Sequence, residues 1–273
     1  MTTKLKRPHE TSVRSLDWLR PLRYLVRTPL LLLHILLALP LAVLVINPLV
    51  SRIKIRHERI DHWMTRWWSR TLLRLFGFTI RRYGEPLPGS VLVVANHLSW
   101  LDIELLHSQR MLCFIAKSEI ARWPLVGWLA SRAGTIYHKR GNTHSLTSVI
   151  ETAVTRLKQG FAVGVFPEGG TGPGDRVRTF HARIFQIARD ASVPIQPVAL
   201  RYGRHGTQDL SLTFAPGESF FSNFLRVLGG PSLEAELHFL PPVKVVDDEG
   251  RRRAAEAARE MIVKALGYHE GET

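Results

Sequence analysis

Only one cysteine, Cys113, stands in the 273 residues. An intrachain disulfide and a thiolate-held zinc cluster are therefore excluded, and the apolar run Met111-Leu112-Cys113-Phe114-Ile115-Ala116 predicts a buried, inert thiol. Acidic residues are also scarce: 23 Asp and Glu face 37 Lys and Arg, a formal net charge of +14. The sequence has no Gly-Lys-Ser/Thr phosphate loop, no dinucleotide fingerprint and no Gly-x-Ser-x-Gly elbow, so the common nucleotide-binding and serine-hydrolase signatures are missing. It also lacks internal repeats and low-complexity tracts. The 20 Gly and 16 Pro fall mostly between apolar runs, which excludes collagen-like, mucin-like and disordered chains.

The positive charge is unevenly placed. Residues 1–82 carry 16 basic and 4 acidic side chains, an excess of +12, and the remaining chain carries only +2. Within that third lies the uncharged, Leu- and Val-rich segment Pro29 to Val50, with Arg20, Arg23 and Arg27 before it and Arg52, Lys54 and Arg56 after it. As a helix it would be about 33 Å long, the thickness of a bilayer's hydrocarbon core. A nucleic-acid binder needs its cations on a folded surface and has no use for such a segment, so no nucleic-acid partner is expected. Anionic lipid accounts for both features, and Trp18, Trp63, Trp67 and Trp68 suit the headgroup level. The long polar lead and the length of the apolar run argue against a cleaved signal peptide. Pro40 is placed to kink or break the helix and Asn47-Pro48 to end it, which leaves open whether the segment spans the membrane or lies in it.

Beyond residue 70 the pattern changes. Short apolar runs (Val91 to Ala95, Phe161 to Phe166, Val193 to Leu200) alternate with helical spacings (Leu101 to Leu106, Leu146 to Leu157, Phe180 to Ala188), and a last helix is expected from Arg251 to Leu266. Such alternation predicts an α/β fold: a mostly parallel, mixed sheet flanked by helices, preceded by the N-terminal membrane-associated helical segment. Leu233, Ala235, Leu237 and Phe239 alternate with Glu234, Glu236 and His238, the pattern of a strand with one face in water. Residues 1–69 thus form a basic, apolar anchoring region, and residues 70–273 a second one.

Two loops carry chemistry. The apolar strand Val91 to Ala95 delivers Asn96-His97, with Asp102 five residues after the histidine. Five helical residues turn through about 140°, so the two side chains meet only if His97 precedes the helix that holds Asp102. Placed so, Asp102 accepts a hydrogen bond from Nδ1–H and leaves Nε2 free as a base. The alternative is a polar pair that merely caps a helix. The second loop, Phe166-Pro167-Glu168-Gly169-Gly170-Thr171-Gly172, ends another buried strand at what should be the same edge of the sheet, where open α/β sheets bind ligands. Its glycines let backbone N–H groups approach a phosphate or oxyanion. Arg140 and Arg178 are candidates to clamp a phosphate.

Together these residues resemble the glycerolipid acyltransferase family typified by bacterial 1-acylglycerol-3-phosphate acyltransferase, over roughly residues 70 to 205. Four blocks appear in order: Asn96-His97 with Asp102 for N-H-x4-D; Gly134, Ile136 and Arg140 for G-x-I-x-x-x-R; Phe166-Pro167-Glu168-Gly169 for F-P-E-G; and Val193-Pro194-Ile195 with Pro197-Val198 for V-P-I-x-P-V. The resemblance implies that His97 deprotonates an acceptor hydroxyl, that Asp102 orients it, and that the alkoxide attacks an acyl thioester directly. The donor is then acyl-CoA or acyl carrier protein as co-substrate, with no metal or other cofactor, and the acceptor a membrane lysophospholipid at the cytoplasmic membrane. Asn96, Arg140, Glu168, Gly169, Gly170, Thr171 and Arg178 would bind substrate.

The sequence departs from the family where F-P-E-G-T-R-S is usual. Gly170 precedes Thr171 here, and the next arginines are Arg176 and Arg178. The leading acceptor is 1-acyl-sn-glycerol-3-phosphate, giving phosphatidate. A lyso-ornithine or other phosphate-free lyso-lipid is second, because it would not need the missing cation. A non-catalytic membrane-binding protein is the alternative of another class.

Overall fold

The computed structural model describes residues 17–268, apart from 48–49, 52, 56–57, 124–125, 140–142, 205 and 245–249. Residues 29–46 of the apolar segment lie within one helix, α1 (Arg20–Ile46), which holds both Pro29 and Pro40 without breaking and is followed by Asn47. Its inward stripe, Leu31, His34, Ala38 and Val45, keeps helical spacing, whereas Leu25, Leu32, Leu36 and most of its other leucines are exposed. A short antiparallel ribbon, β1 (Lys54–Ile55) and β2 (Glu58–Arg59), turns the chain into α2 (Ile60–Leu75). Trp67 and Trp68 of α2 pack on the ring of His34, so these two rings meet the middle of α1 and not its end. Residue 70, the expected domain boundary, falls inside α2. There Ser69 donates to Glu104 (2.6 Å) and Arg70 to the carbonyl of Ser108 (2.7 Å), tying α2 to the helix that follows the Asn96-His97 loop and to its end.

The expected mixed sheet follows. Its strands are β3 (Phe78–Tyr83), β4 (Leu92–Ala95), β5 (Cys113–Lys117), β6 (Ile136–His138), β7 (Val163–Val165), β8 (Ile195–Arg204), β9 (Thr207–Gln208) and β10 (Leu233–Phe239). They lie in the order β3-β10-β8-β4-β7-β5-β6, with β9 paired on β8. From β8 to β6 the neighbours run parallel, whereas β10 runs antiparallel to β8 and takes β3 as a parallel edge. The helices are α3 (Leu101–His107), α4 (Val126–Arg132), α5 (Thr143–Lys158), α6 (Gln186–Ala191), α7 (Phe220–Leu228) and α8 (Gly250–Leu266). Gly160, just past α5, takes φ +93°, a left-handed turn that glycine adopts without steric cost.

Period-2 alternation divides two cores. In β4, Val91, Val93 and Ala95 face a layer containing α1, α2, α3 and α7, while Leu92 and Val94 face α5, α6 and α8. Three expectations shift. The stretch from Phe180 to Ala188 is not one helix but an irregular lead, a 3-10 turn (Ala182–Phe185) and the start of α6. The strand expected to stop at Leu200 continues to Arg204. The polar face of β10 is only partly open to water: Glu234 and His238 are half-buried, and Glu236 is buried, its Oε2 accepting from the Arg201 guanidinium (2.5 Å) and lying 3.0 Å from His238 Nε2. The carboxylate can be buried there because the guanidinium pairs with it.

Candidate functional site

Strands β4 and β7 are parallel neighbours, so the residues that follow them emerge side by side at one edge of the sheet. His97 comes two residues after β4 and Asp102 lies in the first turn of α3, as the five-residue spacing requires. His97 Nδ1 and Asp102 Oδ2 are 2.8 Å apart. A carboxylate only accepts, so the proton of a neutral ring belongs on Nδ1 and the lone pair on Nε2. The same Oδ2 accepts the N–H of Leu98 (2.6 Å) and of Ser99 (2.9 Å), and Oδ1 accepts the hydroxyl of Tyr202 (2.7 Å). Asp102 is fully buried beneath these four donors. Burial, and then the adjoining carboxylate, push the Tyr202 hydroxyl well above the usual phenol range, so it remains a donor.

The histidine ring is held from the other side by aromatic stacking. It lies 3.9 Å from the Phe166 ring and within 10° of parallel, and Phe166 in turn stacks on Phe114 at 5.6 Å. Gly164 of β7 makes room for this arrangement, since a Cβ there would come within 2.7 Å of the Phe114 ring.

The second loop folds over the first. Glu168 Oε1 accepts the His97 N–H (2.9 Å), its Oε2 accepts the Arg178 N–H (3.0 Å), and the Gly172 N–H donates to the His97 carbonyl (2.6 Å). Glu168 is buried. Burial pushes its carboxyl up, against the pull of the two N–H groups and the Arg178 guanidinium. Arg178 further donates to Glu168 (3.4 Å) and to the Gly170 carbonyl. Two hollows flank this loop. One, of about 170 Å³, is lined by Lys117, His138, Phe166 and Ile184; the other, of about 400 Å³, by Glu168, Arg176, Arg178 and Arg259; His181 borders both.

The sequence-derived candidates thus divide. His97, Asp102, Glu168, Gly169, Gly170, Thr171 and Arg178 come together at the carboxyl edge. Glu168 and Arg178 are engaged there with the main chain and with each other. Asn96 does not face the cleft: it is buried, with Nδ2 donating to the Leu200 carbonyl (2.9 Å) and Oδ1 accepting the Leu200 N–H (2.8 Å). Arg140 lies outside the described residues. Tyr202 is a neighbour that motif reading passed over, and Phe166, which stands in the F-P-E-G block, gains a role there only from its stacking on His97. No cluster of three or more His, Cys, Asp or Glu placed to hold a metal occurs among the described residues.

A buried carboxylate that orients an imidazole with its far nitrogen open, beside glycine-rich backbone, is equipped to take a proton from a hydroxyl and to steady an oxyanion. The chain is similar to several known proteins. The family model described as Acyltransferase matches residues 79–201. The lyso-ornithine lipid O-acyltransferase of Pseudomonas aeruginosa is 37% identical over 205 residues, 74% of this chain and 78% of that protein. The protein of the same name from Brucella abortus is 36% identical over 214 residues, 72% and 79% of the two chains. The 1-acyl-sn-glycerol-3-phosphate acyltransferase of Neisseria gonorrhoeae is 37% identical over 126 residues, 46% and 49% of the two chains. Among solved structures, the 1-acyl-sn-glycerophosphate acyltransferase of Thermotoga maritima shares the fold, with a TM-score of 0.61 at 22% identity over 89% of this chain and 98% of that one.

Proposed function

The chain belongs to the acyltransferase family, and we propose that it moves a fatty acyl chain from acyl-CoA or acyl carrier protein to the free hydroxyl of a lyso-lipid, with His97 as general base. The observation that carries this reading is the His97–Asp102 pair at 2.8 Å, with Nε2 left open at the carboxyl edge. Nε2 takes the hydroxyl proton as the oxygen attacks the thioester carbonyl carbon. The carbon–sulfur bond of the tetrahedral intermediate then breaks, and the imidazolium returns its proton to the departing thiolate. Asp102 balances the transient imidazolium. The Gly169–Gly170–Thr171 turn supplies backbone donors for the oxyanion. Asn96 and Glu168 are positioning residues: one pins the end of β4 to β8, the other holds the His97 main chain.

For the acceptor, the relatives that align along most of their length act on lyso-ornithine lipid, as their names state. The loop is consistent with such an acceptor, because Arg178 is engaged with Glu168 and the Gly170 carbonyl. We therefore place a lyso-ornithine-type acceptor first, reversing the order that the motifs suggest. Lysophosphatidate remains the second reading, favoured by the Gly134, Ile136 and Arg140 pattern and by the Neisseria relative. Residues 1–69 serve as the anchor and 70–273 as the catalytic domain, at the cytoplasmic membrane with the site facing the cytoplasm. The test is thiol release from acyl-CoA and from acyl carrier protein by wild-type and His97→Ala protein, with each acceptor offered separately. Transfer that depends on His97 is expected, fastest with the lyso-ornithine lipid. Undiminished transfer by folded His97→Ala protein would refute the assignment of the base.

A further inference from the structure

We propose that the protein meets the bilayer through a second apolar ridge outside α1, formed by α7 with Trp123 and with Val126 and Trp128 of α4, which lays the catalytic edge against the lipid surface. The inference rests on the membrane-surface reading above. On α7, Phe221 and Leu225 stand one turn apart and point outward, and Phe221 is 67% exposed. Trp123, Val126 and Trp128 are exposed as well. The two parts are joined through Phe220, whose ring lies 4.8 Å from that of Trp123.

This ridge is continuous with α1 at one end and with the site at the other. The Tyr24 hydroxyl donates to the Leu225 carbonyl (2.8 Å), and Arg27 to the carbonyls of Leu228 and Gly230 (both 2.8 Å), next to the exposed Leu22 and Leu25 of α1. Toward the site, Trp100 packs on Phe220 and Phe224 (both 5.6 Å) and donates to Asn223 (3.1 Å). Trp100 immediately precedes α3, the helix that carries Asp102.

The charges around the ridge suit anionic headgroups. Arg122 is exposed, and Arg132 lies over the Trp128 ring at 5.6 Å, while the acidic neighbours Glu119 and Glu218 are paired with Lys117 and Arg226. Indole rings flanked by cations are characteristic of the bilayer interface. A soluble partner would account for the apolar side chains but not for their continuity with a bilayer-length helix.

The single, buried Cys113 makes a direct test possible. In full-length protein carrying Cys113→Ala, one cysteine is introduced at Phe221, Leu36 or Glu256 and labelled with a polarity-sensitive fluorophore. Vesicles of phosphatidylethanolamine and phosphatidylglycerol are then added. A blue shift and quenching by spin-labelled lipid are expected at 221 and 36, with none at 256, which lies on α8 across the sheet. A shift at 36 with none at 221 overturns the ridge while leaving the anchor intact. So does a shift at 221 that appears without vesicles as protein concentration rises, because a second copy then covers the face. The variant Phe221→Asp/Leu225→Asp should lower turnover roughly tenfold with vesicle-borne acceptor and leave it unchanged with acceptor in detergent micelles. Equal losses in both overturn the proposal. Because the label reports contact without turnover, a failure of acyl transfer with every acceptor would tell against the proposed function alone.

Discussion

Replacing Asp102 with asparagine separates charge from geometry more cleanly here than in most His–carboxylate pairs. In the wild type, Oδ2 accepts from His97 Nδ1 and from the N–H groups of Leu98 and Ser99, and Oδ1 faces the Tyr202 hydroxyl. An asparagine amide nitrogen cannot stand where three donors converge. The carbonyl oxygen must take the Oδ2 place, and the amide then points at Tyr202, whose hydroxyl can turn to accept. The imidazole therefore keeps its Nδ1–H tautomer and its position, and what is lost is the negative charge opposite the imidazolium that forms during transfer. At about 4 Å between charge centres and an effective dielectric near 20, that attraction is about 4 kcal/mol, or about a 10³-fold effect on rate. Asp102→Asn should therefore lower kcat by about 10² to 10³ with little change in KM or in the urea midpoint. Asp102→Ala strands four donors in a fully buried site and should cost several kcal/mol of stability as well, at about 1–3 kcal/mol for each unmet group. Initial rates of thiol release and equilibrium unfolding on both variants are the assay. A wild-type rate in Asp102→Asn would refute the charge-balancing role, and unfolding of that variant as severe as that of Asp102→Ala would refute the hydrogen-bond argument.

Tyr202→Phe leaves Asp102 Oδ1 without its donor and should cost about 1–3 kcal/mol of stability by urea unfolding. Its pH dependence has a definite sign: the folded-state pKa of Tyr202 lies above the unfolded value of about 10, so the stability it contributes is complete below pH 10 and is lost as pH rises through the folded value. Wild-type stability should fall with pH above about 10 more steeply than that of Tyr202→Phe. Glu168→Gln puts an amide where the N–H groups of His97 and Arg178 both require an acceptor, and should lower kcat about 10- to 100-fold while far-ultraviolet circular dichroism stays unchanged. Asn96→Ala leaves both polar groups of Leu200 unpaired in the core and should lower the urea midpoint by the equivalent of about 2–4 kcal/mol, with KM for the acceptor unchanged in the folded fraction.

Local signals carried most of the reading from sequence. The placement of His97 ahead of the helix holding Asp102 follows from helical rotation alone, and the alternation of apolar runs gave the mixed sheet. What was not legible depends on pairing across the sheet. Tyr202 lies 100 residues from Asp102 on β8, and nothing near it in sequence marks it as a partner; its one clue is a phenol at the inward position of a run that already buries Val198 and Leu200. Asn96 sits in a motif beside the candidate base and so reads as a substrate ligand, but the β4–β8 pairing, which ends at Ala95 and Val198, brings its amide onto the Leu200 backbone. Glu168 and Arg178 show the same effect. Charged residues in a loop read as ligands, and only the structure shows them holding each other and the main chain.

The two faces of the sheet differ in the way that the proposed reaction would require. The layer with α1, α2, α3 and α7 carries the exposed leucines of α1 and the aromatic residues around Trp100, whereas the layer with α5, α6 and α8 borders the hollow lined by Arg176, Arg178 and Arg259. On the proposed function, a lyso-lipid acceptor stays in the bilayer while the thioester donor carries its phosphates through water, and the carboxyl edge of β4 and β7, which leads to His97, is where the donor carbonyl and the acceptor hydroxyl would meet on Nε2.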